Sequence, residues 1–266
     1  MIRDITLGQY YPGESLIHRL DSRVKIIATL LFIVELFIVD NFTGFFIAGG
    51  ALGAVILVSR VPFSYIVRGL KPIIMILCFT FAVNMFMIDG TVLVQLGFLK
   101  ITREGLVTAV FMAVRLILLL LGSSMLTLCT RPLSLTDGIE RLLSPLKKVG
   151  VPAHEIAMMM TIALRFIPTL LEETDKIMKA QQARGADFES GNLMQRAKSL
   201  VPILVPLFVS AFRIAQELAM AMEARCYRGG DHRTRLHELK LKRRDYVAIL
   251  LMAAFLVLII AEAILL

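Results

Sequence analysis

The stretch LVTAVFMAVRLILLLLGSSMLTLC, residues 106–129, is the longest apolar run of the chain, and a single charged residue, Arg115, interrupts it. A helix of about 20 apolar residues crosses the hydrocarbon core of a bilayer, so this run is long enough to span a membrane. Four other apolar runs lie at residues 26–39, 42–58, 72–88 and 246–266. The pattern predicts an all-α, polytopic integral membrane protein with about five transmembrane helices.

The composition predicts that much of the chain lies outside the bilayer. Of its 266 residues, 57% are hydrophobic and 19% are charged. Soluble domains carry roughly 45–50% apolar residues, so an ordinary globular enzyme and a disordered chain are excluded. Five spans would use roughly 100 residues, which leaves a large charged part in water. The three scattered cysteines, Cys78, Cys129 and Cys226, are expected to be buried packing thiols rather than disulfide partners or metal ligands.

The distribution of Lys and Arg predicts the orientation of the chain. Four of these residues precede the first apolar run, none separates the first run from the second, and residues 131–245 are rich in both. Cytoplasmic segments carry an excess of Lys and Arg. We therefore expect a multi-pass protein of the cell (plasma) membrane, with the N-terminus and residues 131–245 in the cytoplasm and the C-terminus outside.

The chain is expected to have three parts: four N-terminal spans at residues 1–130, cytoplasmic helices at 131–230, and a basic juxtamembrane segment with the last span at 231–266. In the middle part, apolar spacing predicts a short amphipathic helix over 134–148. Two long helices should follow, one from about Pro152 to Arg184 and one over 193–225.

Both long helices contain proline, namely Pro168 in the first and Pro202 and Pro206 in the second. Proline inside a helix removes a backbone hydrogen bond and favours a kink. We expect bent helices, with one limb against the membrane and one in water. The alternative is that each is two shorter helices joined end to end.

The sequence contains no motif for catalysis or for a cofactor. It has no Gly-rich phosphate-binding loop, no H-E-x-x-H and no paired-Cys metal site. His154 lacks a second His at metal-binding spacing, and the adjacent Glu172 and Glu173 point to different helix faces. We therefore expect no catalytic, cofactor-binding or metal-binding residue and no enzymatic activity in this chain.

A repeated helix end is the most informative motif. Ala183-Arg184-Gly185 ends the first long helix, and Ala224-Arg225-Cys226 ends the second. One such arginine is explained by its attraction to the negative end of the helix dipole. Two copies suggest a pair of protruding guanidinium groups, suited to acidic clefts on partner proteins.

With these residues the sequence resembles the transmembrane T component of energy-coupling factor transporters. The paired Ala-Arg motifs carry part of the resemblance, and the N-terminal stretch GQYYPGESLIHRLDSRVK, residues 8–25, carries the rest. Two positions depart from the family pattern. Cys226 stands where the second motif usually has Gly, which leaves that backbone less free to turn left-handed. Ser22 stands where the N-terminal motif usually has Pro, and we expect it to cap the first helix.

The resemblance implies a scaffold subunit of an importer of vitamins or other micronutrients. Its partners would be two ABC-type ATPase subunits, which bind ATP and Mg, and a substrate-binding membrane subunit, the S subunit. The six residues Ala183, Arg184, Gly185, Ala224, Arg225 and Cys226 would dock the ATPases. Methionines such as Met158, Met159, Met160, Met220 and Met222 would suit adaptable partner surfaces or simple helix packing.

Two further basic features need a partner. Arg115 lies deep in an apolar run, where an ion is costly unless it is paired. We expect it to pair with Asp89, Glu35 or backbone carbonyls, or else to contact the S subunit. The basic stretch 228–244 precedes the last span, which favours contact with anionic lipid in the bilayer over nucleic acid.

Two other functions remain open at this point. The first is the permease subunit of another ABC importer type, although such permeases usually dock through one short loop helix. The second, an integral-membrane lipid enzyme, would need a cluster of Asp, His or Ser in the spans, and those residues are scattered.

Overall fold

The structure is a computed structural model that describes residues 10–96, 99–186, 188, 192–229 and 239–265. These residues form nine α-helices, two short 3₁₀ segments and a two-stranded hairpin. The helices are α1 Ser22–Ile38, α2 Phe42–Ser59, α3 Phe63–Leu70, α4 Ile74–Met87, α5 Arg103–Cys129, α6 Pro132–Leu143, α7 Ala153–Ala183, α8 Leu193–Ala224 and α9 Arg243–Leu265. The 3₁₀ segments are Lys71–Ile73 and Ser144–Val149, and the strands are β1 Val92–Leu96 and β2 Leu99–Thr102.

The described residues form two compact units that divide within α6. The first unit comprises residues 10–138 and 239–265, with α1 to α5, the hairpin and α9. The second comprises residues 139–229, with α7 and α8. The apolar runs of the sequence therefore separate from the segment with the repeated motif.

Helix α5 is the centre of the first unit, because α1, α2, α3 and α4 all pack against it. Helix α9 packs against α1 and α2. The buried core takes side chains from α1, α2, α3, α5 and α9, including Leu36, Phe45, Ile66, Leu128 and Ile259. Residues 106–129, the longest apolar run of the sequence, thus form the axis of this bundle.

Five helices are long and apolar enough to cross a membrane: α2, α5, α7, α8 and the Arg243–Glu262 part of α9. The prediction of a helical membrane protein with about five such helices is confirmed, although the set differs in part. Helices α1 and α4 coincide with predicted runs but have only 17 and 14 residues. By length and composition α7 and α8 qualify instead.

The two long helices were predicted closely. Helix α7 continues through Pro168, and α8 continues through Pro202 and Pro206, so neither is divided into two helices. The predicted short helix at 134–148 is present as α6 followed by a 3₁₀ segment. The antiparallel pairing of β1 with β2 was not anticipated.

Two predictions about single residues were wrong. Asp21, not Ser22, caps α1, because its carboxylate accepts a hydrogen bond of 2.9 Å from the Arg23 amide. Ser22 is the first helical residue, a position at which proline is favoured. Among the cysteines, Cys129 is buried, but Cys78 and Cys226 are exposed because α4 and the end of α8 leave those sides uncovered.

Candidate functional site

The two Ala-Arg motifs form the same turn at the ends of α7 and α8. After α7, the Gly185 amide donates to the Gln182 carbonyl at 2.9 Å and the Ala186 amide donates to Gln181 at 3.0 Å. After α8, the Cys226 amide donates to Glu223 at 2.8 Å and the Tyr227 amide donates to Met222 at 3.0 Å. This pair of bonds defines a Schellman motif, which satisfies the last helical carbonyls.

The residue after each arginine has the left-handed backbone that the motif needs. Its φ is +89° at Gly185 and +57° at Cys226. Glycine adopts this conformation at no steric cost, whereas a residue with a Cβ atom is strained in it. The second turn thus has the same geometry with Cys in place of Gly, and its Cβ makes the left-handed conformation more strained.

All six residues of the two turns are exposed. Neither Arg184 nor Arg225 makes a side-chain hydrogen bond or ion pair with any residue that the structure describes. Each guanidinium group is held by a rigid helix end and keeps its five donors available to a partner.

The structure places the two turns at opposite ends of one antiparallel helix pair. Near the start of α7, His154 contacts Tyr227, which follows the Arg225 turn. Near the end of α7, Gln181 lies 3.4 Å from the carbonyl of Pro202, in the first third of α8. The 27 residues from His154 to Gln181 correspond to roughly 40 Å of helix at 1.5 Å per residue.

A side-chain network that the sequence did not reveal holds the second turn. The Tyr227 hydroxyl lies 3.0 Å from His154 Nε2 and 3.0 Å from Met158 Sδ, both on α7. His154 Nδ1 lies 3.1 Å from the Glu140 carboxylate on α6. The position of Tyr227 directly after Ala224-Arg225-Cys226 was the one available signal.

The N-terminal stretch of the resemblance builds the first unit. The Tyr11 amide donates to the Leu128 carbonyl at 2.9 Å, and Lys25 Nζ donates to the Cys129 carbonyl at 2.8 Å. Both bonds satisfy carbonyls in the last turn of α5. Gly13 approaches the His18 ring so closely that a Cβ would lie 2.9 Å from it. In this structure, therefore, the stretch anchors the chain to the end of α5.

Arg115 is paired inside the first unit, and its carboxylate partner differs from the predicted ones. Its Nη2 donates to the Val39 carbonyl at 2.6 Å and to the Asp40 carboxylate at 3.0 Å. Its guanidinium carbon also lies 5.5 Å from the centre of the Phe45 ring. The expected bond to a backbone carbonyl is confirmed, whereas the carboxylate is that of Asp40 rather than Asp89 or Glu35.

Within the described residues, no group of three or more His, Cys, Asp or Glu side chains could hold a metal ion. The arrangement that the chain does present, two exposed arginines on matched helix ends, is suited to binding carboxylates of other proteins.

The comparisons with known proteins agree with this architecture. The family model for CbiQ, a cobalt transport protein, matches residues 13–236. A protein of Clostridium kluyveri is 62% identical over 250 residues, which are 93% of each chain. Proteins of Acidaminococcus fermentans and Bacillus subtilis are 54% and 49% identical, over 97% and 96% of this chain and 97% and 98% of their own.

All three relatives are named energy-coupling factor transporter transmembrane protein EcfT. The family model covers most of the chain, and the identities extend over nearly all of it. The resemblance to the T component of energy-coupling factor transporters is therefore confirmed. The prediction that the chain is a membrane transport protein is confirmed as well. The chain belongs to the CbiQ family, as a transmembrane component of energy-coupling factor transporters.

Proposed function

We propose that this chain is the scaffold that couples ATP hydrolysis by two ATPase subunits to reorientation of a substrate-binding membrane subunit, for uptake of vitamins or other micronutrients. One observation carries the proposal: two exposed arginines, neither bonded to a described residue, lie in matching turns at opposite ends of one helix pair. The chain itself is non-catalytic, and ATP and Mg are bound by the ATPase subunits.

The turn geometry explains how each arginine would act. Because its guanidinium group has no bond to a described residue, docking into an acidic cleft breaks no internal hydrogen bond. The Schellman turn fixes the backbone, so little backbone entropy is lost on binding. The Arg184 and Arg225 turns are separated by roughly 40 Å along α7, so one ATPase subunit can bind at each turn.

The charges of α7 favour a place for this helix pair in the cytoplasm. Although α7 has the length of a span, its second half alone carries five charged side chains, Glu172, Glu173, Asp175, Lys176 and Lys179. Charges within a bilayer core are costly unless they are paired. The N-terminus lies in the cytoplasm as well. Because α9 follows the cytoplasmic helix pair and crosses the membrane once, the C-terminus after α9 lies outside the plasma membrane.

Helix α8 leaves one apolar face uncovered, which we assign to the S subunit. The spacing of its exposed side chains follows the helical repeat. They are Val201, Leu204, Val205, Phe208, Val209 and Phe212, each between 46% and 68% exposed. A membrane subunit that slides over this face could bury it in each of its orientations.

The docking assignment is tested by charge reversal in the assembled complex. Arg184→Glu and Arg225→Glu should each weaken retention of one ATPase subunit, and the double variant should abolish co-purification of both. Arg165→Glu on α7 and Arg213→Glu on α8 change exposed arginines of the same helices and serve as matched controls.

Membrane insertion and monodispersity of the double variant show that it still folds. Intact ATPase complexes from the double variant would overturn the assignment. Equal losses in the two control variants would show that the charge of the helix pair, rather than the turns, binds the ATPases.

A further inference from the structure

A polar cavity of about 450 Å³ lies at one end of the first unit. It is lined where α1 begins, where α5 ends and where α9 begins. Helices α5 and α9 are both candidate membrane spans. Their ends place the cavity at the depth where hydrocarbon gives way to lipid head groups.

The lining of the cavity carries an excess of positive charge. Three carboxylates lie there, and protein donors already occupy each of them. Glu14 pairs with Arg19 at 2.9 Å, Asp21 pairs with Arg23 at 2.9 Å, and Asp245 accepts the Asp21 amide at 2.8 Å. Against these three stand six basic side chains, Arg19, Lys25, Arg131, Lys240, Lys242 and Arg244.

Some of the basic side chains are also committed to protein partners. Lys25 Nζ donates to the carbonyls of His18 and Cys129, at 3.1 and 2.8 Å. It therefore neutralises the negative end of α5 rather than the cavity. The Lys242 ammonium group makes no hydrogen bond with a described residue, so its charge is available at the rim.

Three buried polar atoms of the lining have no hydrogen-bond partner among the residues that the structure describes. They are Ser22 Oγ, Thr130 Oγ1 and Arg244 Nε. Ser22 and Thr130 are each only 3% exposed. Buried donors without a partner are rare in folded proteins because leaving them unbonded is unfavourable. Three side chains in one lining thus keep hydrogen-bonding capacity that no described residue uses.

We propose that this cavity binds the phosphate group of an anionic phospholipid. On binding, the side chains of Ser22, Thr130 and Arg244 turn toward the phosphate oxygens and donate to them, and Lys242 and Arg131 add positive charge. This site is separate from the Arg184 and Arg225 turns and does not depend on the proposed docking of ATPases.

The surroundings favour a lipid over free phosphate. The first turns of α9 beside the cavity expose Tyr246, Val247 and Leu250, at 60%, 57% and 68%. Acyl chains could lie along this apolar surface while the head group occupies the cavity. A bound lipid would then connect α1, α5 and α9 at this end of the unit.

The proposal is tested by native mass spectrometry of the delipidated full-length chain, titrated in detergent with phosphatidylglycerol. Arg244→Gln should weaken the first phosphatidylglycerol binding event about tenfold, as expected for loss of one charge-assisted hydrogen bond. Arg103→Gln is the matched control, because Arg103 is exposed at the other end of α5.

A second variant separates binding from folding. Ser22→Ala with Thr130→Val removes two unpaired hydroxyls without changing charge, so it should fold normally yet bind phosphatidylglycerol several-fold more weakly. Equal affinity in wild type and both cavity variants would overturn the proposal, as would equal binding of phosphatidylcholine. Displacement of the lipid by millimolar inorganic phosphate would overturn the lipid as occupant and assign the cavity to free phosphate.

Discussion

Gly185 and Cys226 occupy the same position in two equivalent helix ends. Each follows the arginine of its motif, each has a left-handed backbone, and each donates its amide to the carbonyl three residues earlier. One is a glycine and the other carries a side chain. The two turns are therefore the same in geometry but differ in the conformational strain that they contain.

The first prediction concerns that strain. Cys226→Gly should stabilise the end of α8 by roughly 1 kcal/mol, because a left-handed conformation costs an L-residue about that much relative to glycine. Slower hydrogen–deuterium exchange in the peptide over residues 220–229 would show it. Gly185→Ala should have the opposite effect on the end of α7, since no neighbour lies within 4 Å of the new Cβ and only the backbone is strained. Unchanged exchange in both variants would contradict this account of the turns.

The second prediction concerns the network below the Arg225 turn. Tyr227→Phe removes the hydroxyl that contacts His154 and Met158, and should cost about 1 kcal/mol. Retention of the ATPase at the Arg225 turn should fall, while retention at Arg184 should not. Tyr246→Phe is the control, because this exposed tyrosine has no role in the network. Equal retention of both ATPases would show that the turn needs no support from α7.

The fold was predictable where its signals lie close together in sequence. The apolar runs, the extent of α7 and α8 and the turn at Gly185 all follow from periodicity and a terminating residue. The strands were missed because β1 and β2 are short, and their pairing gives no helical or spanning signal. The α7–α8 pair satisfies the length and composition of spans, so composition alone does not separate it from α2 or α9.

The contacts of the site were predictable only in part. The two arginines were found because their motif repeats, but their placement at opposite ends of a helix pair depends on how the chain folds back. Arg115 was recognised as needing a partner, yet Asp40 is 75 residues away in sequence and was not considered. Ser22 was given the capping role because serine is a common cap, although the preceding Asp21 is equally suited to it.

The third prediction separates the two partners of Arg115. Arg115→Met removes both the hydrogen bond to the Val39 carbonyl, at the end of α1, and the ion pair with Asp40, and should destabilise the protein by about 2 kcal/mol. Asp40→Asn should cost less than about 0.5 kcal/mol, because the Asp40 side chain is 84% exposed and such ion pairs are weak. Thermal unfolding in detergent measures both. Equal losses would show that the ion pair, rather than the carbonyl, holds Arg115.

The fourth prediction is a pH dependence that comes from His18. Burial lowers the pKa of its imidazole below the usual 6.5, with a further contribution from the Lys25 charge, against the bond to the Tyr11 carbonyl. The unfolded chain therefore takes up this proton at a higher pH than the folded chain does. The stabilisation is complete above pH 6.5 and is lost as pH falls through the lower pKa of the folded state.

The thermal midpoint should accordingly decrease as the pH falls below 6.5, and His18→Gln should reduce the slope. Ser15→Ala is the control, because it removes the 2.7 Å contact to Nδ1 but keeps the titrating ring. Asp21 does not contribute in this window. Although burial opposes its ionisation, the Arg23 hydrogen bonds lower its pKa below the usual 3.8. A slope that His18→Gln leaves unchanged would exclude His18 as its source.

The fifth prediction tests the side of the membrane on which the docking turns lie. Cys226 is an exposed thiol directly after Arg225, so the native chain carries its own reporter of topology. In inside-out vesicles that hold this chain without its ATPase subunits, a membrane-impermeant maleimide should label Cys226. It should not label Cys226 in intact cells, and Cys226→Ser should abolish the label. Cys78 is also exposed, but it lies in the middle of the apolar helix α4, where lipid would shield it from the reagent. Labelling of Cys226 in intact cells would place the Arg225 turn outside, beyond the reach of any cytoplasmic ATPase, and the coupling function would have to be abandoned.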